Sequence, residues 1–127
     1  MATIKAFTDL PQSLKLAEIL PHESADMEYL AVKENGALVV DVPFVKDNSE
    51  VEDSAYSHTY DRIACWSLTA LLNILPEYNL QRTVWGNKTE YKIVVYVNDD
   101  VYASNNYDNE VDACVSMIEK LNELNLL

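Results

Sequence analysis

The segment Asp61–Pro76 (DRIACWSLTALLNILP) is the most hydrophobic stretch of the chain and constrains its fold most. Wound as a helix, it leaves only Arg62, Thr69 and Asn73 as a narrow polar stripe, with Trp66 between them. A helix that is apolar almost all round is buried almost all round, so the segment reads as a central core helix. It is too short to cross a bilayer, which takes roughly 20 apolar residues. Asp61 suits the positive end of a helix dipole, and Pro76 pushes the residue before it out of the helical region. Leu71 and Ile74 are then expected at the centre of the domain.

The flanking segments alternate between helical and extended patterns. Thr8 or Asp9 can cap a first helix with Pro11 in its first turn and Leu10, Leu14, Leu16, Ala17, Ile19 and Leu20 on its apolar side; Pro21 ends it. Met27–Lys33 and Ala37–Val45 read as strands joined by Asn35-Gly36, a pair suited to a type I′ hairpin turn. Pairing Glu34 with Ala37 sets Lys33 against Leu38, Ala31 against Val40 and Tyr29 against Val42. The polar, acidic stretch Lys46–Tyr60 shows no periodicity and reads as a loop long enough to be either functional or mobile; with little to bury, it is expected to be the first place for a protease to cut.

After the central helix, Leu80–Trp85 and Tyr91–Val97 read as a second hairpin around Gly86-Asn87-Lys88-Thr89, with Trp85 opposite Glu90. Asn98-Asp99-Asp100 forms a turn, and Val101-Tyr102-Ala103 suits a short further strand. Asn109 can cap a last helix carrying Val111, Cys114, Val115, Ile118, Leu121 and Leu124 at helical spacing. The expected fold is one α+β domain over residues 1–127. An antiparallel sheet of four to five strands packs against three helices, in the order α-β-β-α-β-β-α. Leu16–Pro21 and Leu71–Pro76 share a pattern, and each precedes a hairpin whose turn holds a glycine, which hints at internal duplication.

These pairings place Tyr29, Val40, Val42, Ile93 and Val95 on the core side of the sheet. They leave Leu30, Val32, Val39, Trp85, Val94 and Tyr96 on the other side. A solvated antiparallel face should read polar. The second side is therefore expected either to lie under a helix or to form a protein interface, a homodimer anchored by Trp85 being the simplest case.

Charge narrows the partners. Lys+Arg number 9 and Asp+Glu 21, a formal net charge of −12. Residues 21–60 hold nine acids against two lysines, and residues 91–127 seven against two, while residues 61–90 balance. Such a surface repels nucleic-acid phosphates and anionic lipid, so neither direct nucleic-acid binding nor membrane binding is expected. Two cysteines do not make a disulfide framework, and the start Met-Ala-Thr-Ile-Lys lacks a signal-peptide pattern. A cytoplasmic location is expected, with Cys65 and Cys114 as buried free thiols; a pair across two helices is the alternative.

Leu16–Met27 (LAEILPHESADM), Cys65-Trp66-Ser67-Leu68, Ile74-Leu75-Pro76 and Val111-Asp112-Ala113-Cys114 through Leu121 resemble a family of small uncharacterised proteins. These occur in phage-like and other mobile elements of anaerobic gut bacteria. The resemblance covers the helices and little of residues 44–60. Its motifs are core-packing motifs, so it implies a bacterial cytoplasmic accessory protein and nothing catalytic.

Few side chains gather in a chemically suggestive way. His58, Tyr60, Asp61, Arg62 and Cys65 could offer a thiol and a base, but a reactive thiol needs an exposed, electropositive setting. His22, Glu23 and Asp26 lack a trusted metal-ligand spacing. Asp47–Asp53 lacks the ordered ligand spacing and glycine of a calcium-binding hand. With two glycines, both in turns, no phosphate-cradling loop exists. The chain is thus expected to need no cofactor or metal and to be no enzyme. Two functions remain: a non-catalytic binding or assembly module, or an acidic inhibitor that mimics nucleic acid or acts as an immunity-type protein against a basic partner.

Overall fold

A computed structural model describes residues 5–46 and 59–127. The expected loop Lys46–Tyr60 and His58 therefore lie almost wholly or wholly outside the described residues. Among the described residues the fold is α+β, with three α-helices and two three-stranded antiparallel sheets. It divides into two compact units, Asp9–Trp66 and the residues up to Thr8 together with Ser67–Leu127.

In the first unit, helix α1 spans Leu10–Ala17. Asp9 accepts from the Gln12 amide at 2.9 Å, and the Gln12 side chain accepts from the Asp9 amide at 3.1 Å. This reciprocal pair satisfies two otherwise orphaned donors, as the sequence led us to expect near Asp9. A 3₁₀ turn at His22–Ser24 leads into β1 (Met27–Val32), followed by β2 (Phe44–Val45) and β3 (Tyr60–Cys65), with sheet order β2-β1-β3. β1 pairs along its whole length with β3, from Met27–Cys65 to Val32–Tyr60. α1 packs on β3. Trp66 is fully buried, and its indole N–H donates to Ser24 Oγ at 2.9 Å.

The second unit opens with α2 (Leu68–Ile74) and continues as β4 (Tyr78–Trp85), β5 (Lys88–Val97), β6 (Asp100–Ala103) and α3 (Glu110–Glu123). The strands run as a meander, β4-β5-β6. α3 packs on both α2 and β5. Its Val111, Cys114, Val115, Met117, Ile118 and Leu121 are buried, as are Ile93 and Val95 of β5 and Leu71 of α2. Asn109 caps α3 by accepting from the Asp112 amide, and the Asp112 carboxylate takes an ion pair from Lys5 at 2.8 Å.

Four expectations need correction. The central helix does not begin at Asp61: Tyr60–Cys65 is strand, and the helix starts at Leu68. Short apolar runs do not reveal helix or strand by period alone. The break falls where the Ser67 hydroxyl accepts from the Ala70 amide at 3.2 Å and caps α2. Leu71 is fully buried, as expected of a core centre, while Ile74 is half-buried.

The first hairpin is also different. Gly36 has φ +72 and Asn35 is not in the positive region, so no type I′ turn forms there. Instead the Gly36 amide donates to Val32 O at 2.7 Å and Ala37 donates to Asn35 Oδ1 at 3.0 Å. Ala31 then faces Leu38 rather than Val40, and the chain leaves the ladder until Phe44 pairs with Glu28. Finally, the strands build two sheets of three rather than one of four to five. In the first sheet the first strand in sequence is central, and in the second sheet the middle one is. The two helix-then-strands segments therefore differ in topology.

The second hairpin forms with a tighter turn than expected. Trp85 faces Lys88 rather than Glu90, around the two residues Gly86 and Asn87. Gly86 has φ +59, which places glycine where a type II′ turn needs it. A two-residue change of register keeps every side chain on its expected face, because the side-chain period along a strand is two. Asn98 and Asp99 both take positive φ in the turn between β5 and β6, as a type I′ turn requires.

Candidate functional site

The six residues expected on a shared sheet face fall on two sheets. Leu30 and Val32 lie on β1 and Val39 follows it, whereas Trp85, Val94 and Tyr96 belong to β4 and β5. Leu30 and Val94 are buried and Val32 is half-buried. Val39, Trp85 and Tyr96 are exposed, Trp85 most of all at 67%. Trp85 and Tyr96 share a face of the second sheet but stand at its opposite ends, since Trp85 faces Lys88 at the other end of β5 from Tyr96. They do not make one patch.

What the structure brings together instead is an open strand edge. β4 is the outer strand of its sheet, and each of its residues is exposed or half-buried. The Tyr96 amide donates to Glu77 O at 2.9 Å, which makes these two a hydrogen-bonded pair. Such pairs alternate along an antiparallel ladder. Asn79, Gln81, Thr83 and Trp85 therefore turn their backbone groups toward β5. Tyr78, Leu80, Arg82 and Val84 turn their N–H and C=O groups outward.

The side chains of these same four residues lie on the face that carries Ile93 and Val95. α3 packs on β5, where Ile93 and Val95 are buried, but Tyr78 remains 41% and Val84 52% exposed. The outward backbone groups thus run beside a partly apolar shelf.

The other sheet edges are blunted. β2 is two residues long, β3 carries Asp61, and β6 begins at Asp100 with Lys120 reaching Ala103 O at 3.3 Å. Short strands and charges are common ways to keep an edge from pairing. β4 has eight residues and one ionisable side chain of high charge, Arg82; no acid lies in it. Both faces of this strand are legible in the sequence. Its place at an edge is not, because edge or centre depends on which strands pair.

The other candidate clusters do not converge on chemistry. Cys65 and Arg62 point to opposite faces of β3. Arg62 Nε donates to both carboxylate oxygens of the buried Glu28 at 3.0 Å, so its charge is engaged. Cys65 is fully buried beside Tyr29. Burial, then the neighbouring Cys65 and Asp9, push the Tyr29 hydroxyl up to about 12. Burial, with Glu110 nearby, pushes the Cys114 thiol up to about 12 as well. Both cysteines are buried and outside any disulfide, as expected, and the Cys114 thiol, held protonated, is a poor nucleophile.

His22, Glu23 and Asp26 are all exposed, and among the described residues no three His, Cys, Asp or Glu side chains gather to hold a metal. A shallow cleft of about 670 Å³ opens at the start of β5, lined by polar groups such as Thr89, Asn106 and Asp108. At its rim Lys88 and Glu90 pair at 2.8 Å, and the Glu90 carboxylate raises the Lys88 pKa. No helix among the described residues is long and apolar enough to cross a membrane. Comparison with protein-family models, curated proteins and solved structures found no match for the chain.

Proposed function

We propose that this chain is a non-catalytic protein-binding module, an accessory protein of a bacterial mobile element, and that the open edge of β4 is its recognition element. The observation that carries the reading is an eight-residue outer strand with outward backbone groups at Tyr78, Leu80, Arg82 and Val84, free of acids and ending in the exposed Trp85. An extended segment of another protein can add to such an edge, with backbone hydrogen bonds supplying affinity and alternate side chains supplying selectivity.

A second reading is favoured by a different observation. The acids are concentrated in residues 21–60 and 91–127, away from the balanced stretch that contains β4. A chain that blocks a basic protein would use those surfaces. Capture from a bacterial lysate at low and high salt separates the two readings, because charge-driven association weakens steeply as salt rises. Under the proposed reading a partner is retained at high salt by the wild type and lost with Arg82→Pro, which removes an outward donor. Capture that vanishes at high salt and ignores Arg82→Pro would transfer the function to the acidic surfaces.

A further inference from the structure

We infer that β4 pairs with β4 of a second copy of this chain, antiparallel about a two-fold axis at Gln81. The two meanders then join as one six-stranded sheet, β6-β5-β4-β4-β5-β6. This rests on the reading of β4 as a recognition edge and names the partner.

Charge limits where two copies can meet. Two chains of −12 repel one another over most of their surfaces. Residues 61–90 are balanced, and β4 itself carries a single positive charge. It is the long edge along which two copies meet without setting acid against acid. Long unprotected edges also pair or aggregate unless something occupies them, and β4 lacks the blunting seen at β2, β3 and β6.

Register selects the axis. The outward residues are the even-numbered ones, so a two-fold pairing about Gln81 makes hydrogen-bonded pairs of Tyr78 with Val84 of the second copy and of Leu80 with its Arg82. Aromatic against β-branched is a favourable cross-strand pair. Moving the axis to Arg82 would set the two guanidiniums directly opposite, and moving it to Leu80 would set Val84 against Pro76, which has no N–H to give. The Gln81 axis pairs the strand end to end and avoids both faults. It also brings the two Gln81 residues together as a non-hydrogen-bonded pair, whose Cα atoms stand about 4.5 Å apart. That spacing admits a disulfide.

The test uses the whole chain. Sedimentation equilibrium at low and high salt should give a mass approaching twice 14.4 kDa. The dimer should tighten as salt screens the mutual repulsion, opposite in sign to capture of a basic partner. Arg82→Pro leaves the β4–β5 ladder intact, because that N–H points outward, and should weaken the dimer by at least roughly tenfold in Kd. As a second variant, Gln81→Cys should cross-link two copies under mild oxidation, whereas Asn79→Cys, which faces Thr83 of the second copy, should not; Cys65 and Cys114 are buried and stay out of the reaction. A chain that is monomeric at every salt concentration, or a Gln81→Cys variant that cross-links no better than Asn79→Cys, overturns the pairing. A monomer that still captures another protein through β4 overturns this inference alone and leaves the binding reading in place.

Discussion

Strands β1 and β4 were each expected to open a hairpin, and they end in opposite environments. β1 (MEYLAV) is apolar but for Glu28, whereas β4 (YNLQRTVW) alternates apolar with polar residues. β1 became a central strand, with Glu28, Tyr29, Leu30 and Ala31 buried on both faces. β4 became an outer strand, exposed or half-buried throughout. The number of partners differs as well. β3 supplies β1 with six paired residues on one side, and β2 adds two on the other. β4 has β5 alone. Burial therefore follows neighbours together with composition: a polar residue such as Glu28 is carried inside when the strand is central and must then find a partner, here Arg62.

Core truncations give the largest effect that would break this contrast. Leu30→Ala in β1 and Leu71→Ala in α2 should each cost roughly 2–5 kcal/mol, from lost burial and the cavity left behind. Val84→Ala in β4 should stay within about 0.5 kcal/mol in the monomer. Urea midpoints measure all three, and a Val84→Ala loss equal to that of Leu30→Ala would show β4 to be buried.

The next effect comes with alkali. Cys114 titrates near its ordinary 9.0 once unfolded and near 12 when folded, and Tyr29 near 10.0 and near 12. The folded state holds these protons longer, so their stabilisation is complete below about pH 9 and is lost as pH climbs toward 12. Stability measured from pH 8 to 11 should fall, and Cys114→Ser should flatten part of the slope. A profile that stays level across that range would mean both groups are solvated.

The ion pair inside the first sheet is expected to matter less. Glu28→Gln should cost roughly 1–3 kcal/mol, because Arg62 loses a charged partner while keeping some access to water. Arg82→Gln, on the open strand, should be nearly silent in the monomer. Equal effects at Glu28 and Arg82 would erase the distinction between a central and an outer strand.

The smallest effect concerns the turn that ends β4. Gly86→Ala should cost about 1 kcal/mol, since φ +59 strains any residue with a Cβ even though open space surrounds it. A thermal midpoint unmoved by the change would mean that the turn adapts without cost.

The sequence alone determined the local features whose causes lie within a few residues. The Asp9 cap, the Asn109 cap, the stop before Pro76, the turn at Asn98-Asp99 and the face assignment of the second hairpin all follow from side-chain chemistry and short periods. Even the misplaced register of that hairpin did no harm to its faces, because the shift was of two residues. Tertiary structure decided the rest. Tyr60–Cys65 is strand because β1 offers it a full ladder, although its residues (YDRIAC) show no period that separates strand from helix. Asn35-Gly36 does not make the tight hairpin its composition favours, because β1 pairs along its length with β3 and only briefly with the segment that follows the turn. The open edge of β4, on which the candidate site rests, was invisible for the same reason: a strand's own residues show which side chains share a face, but only its pairing partners decide which backbone groups are left unpaired.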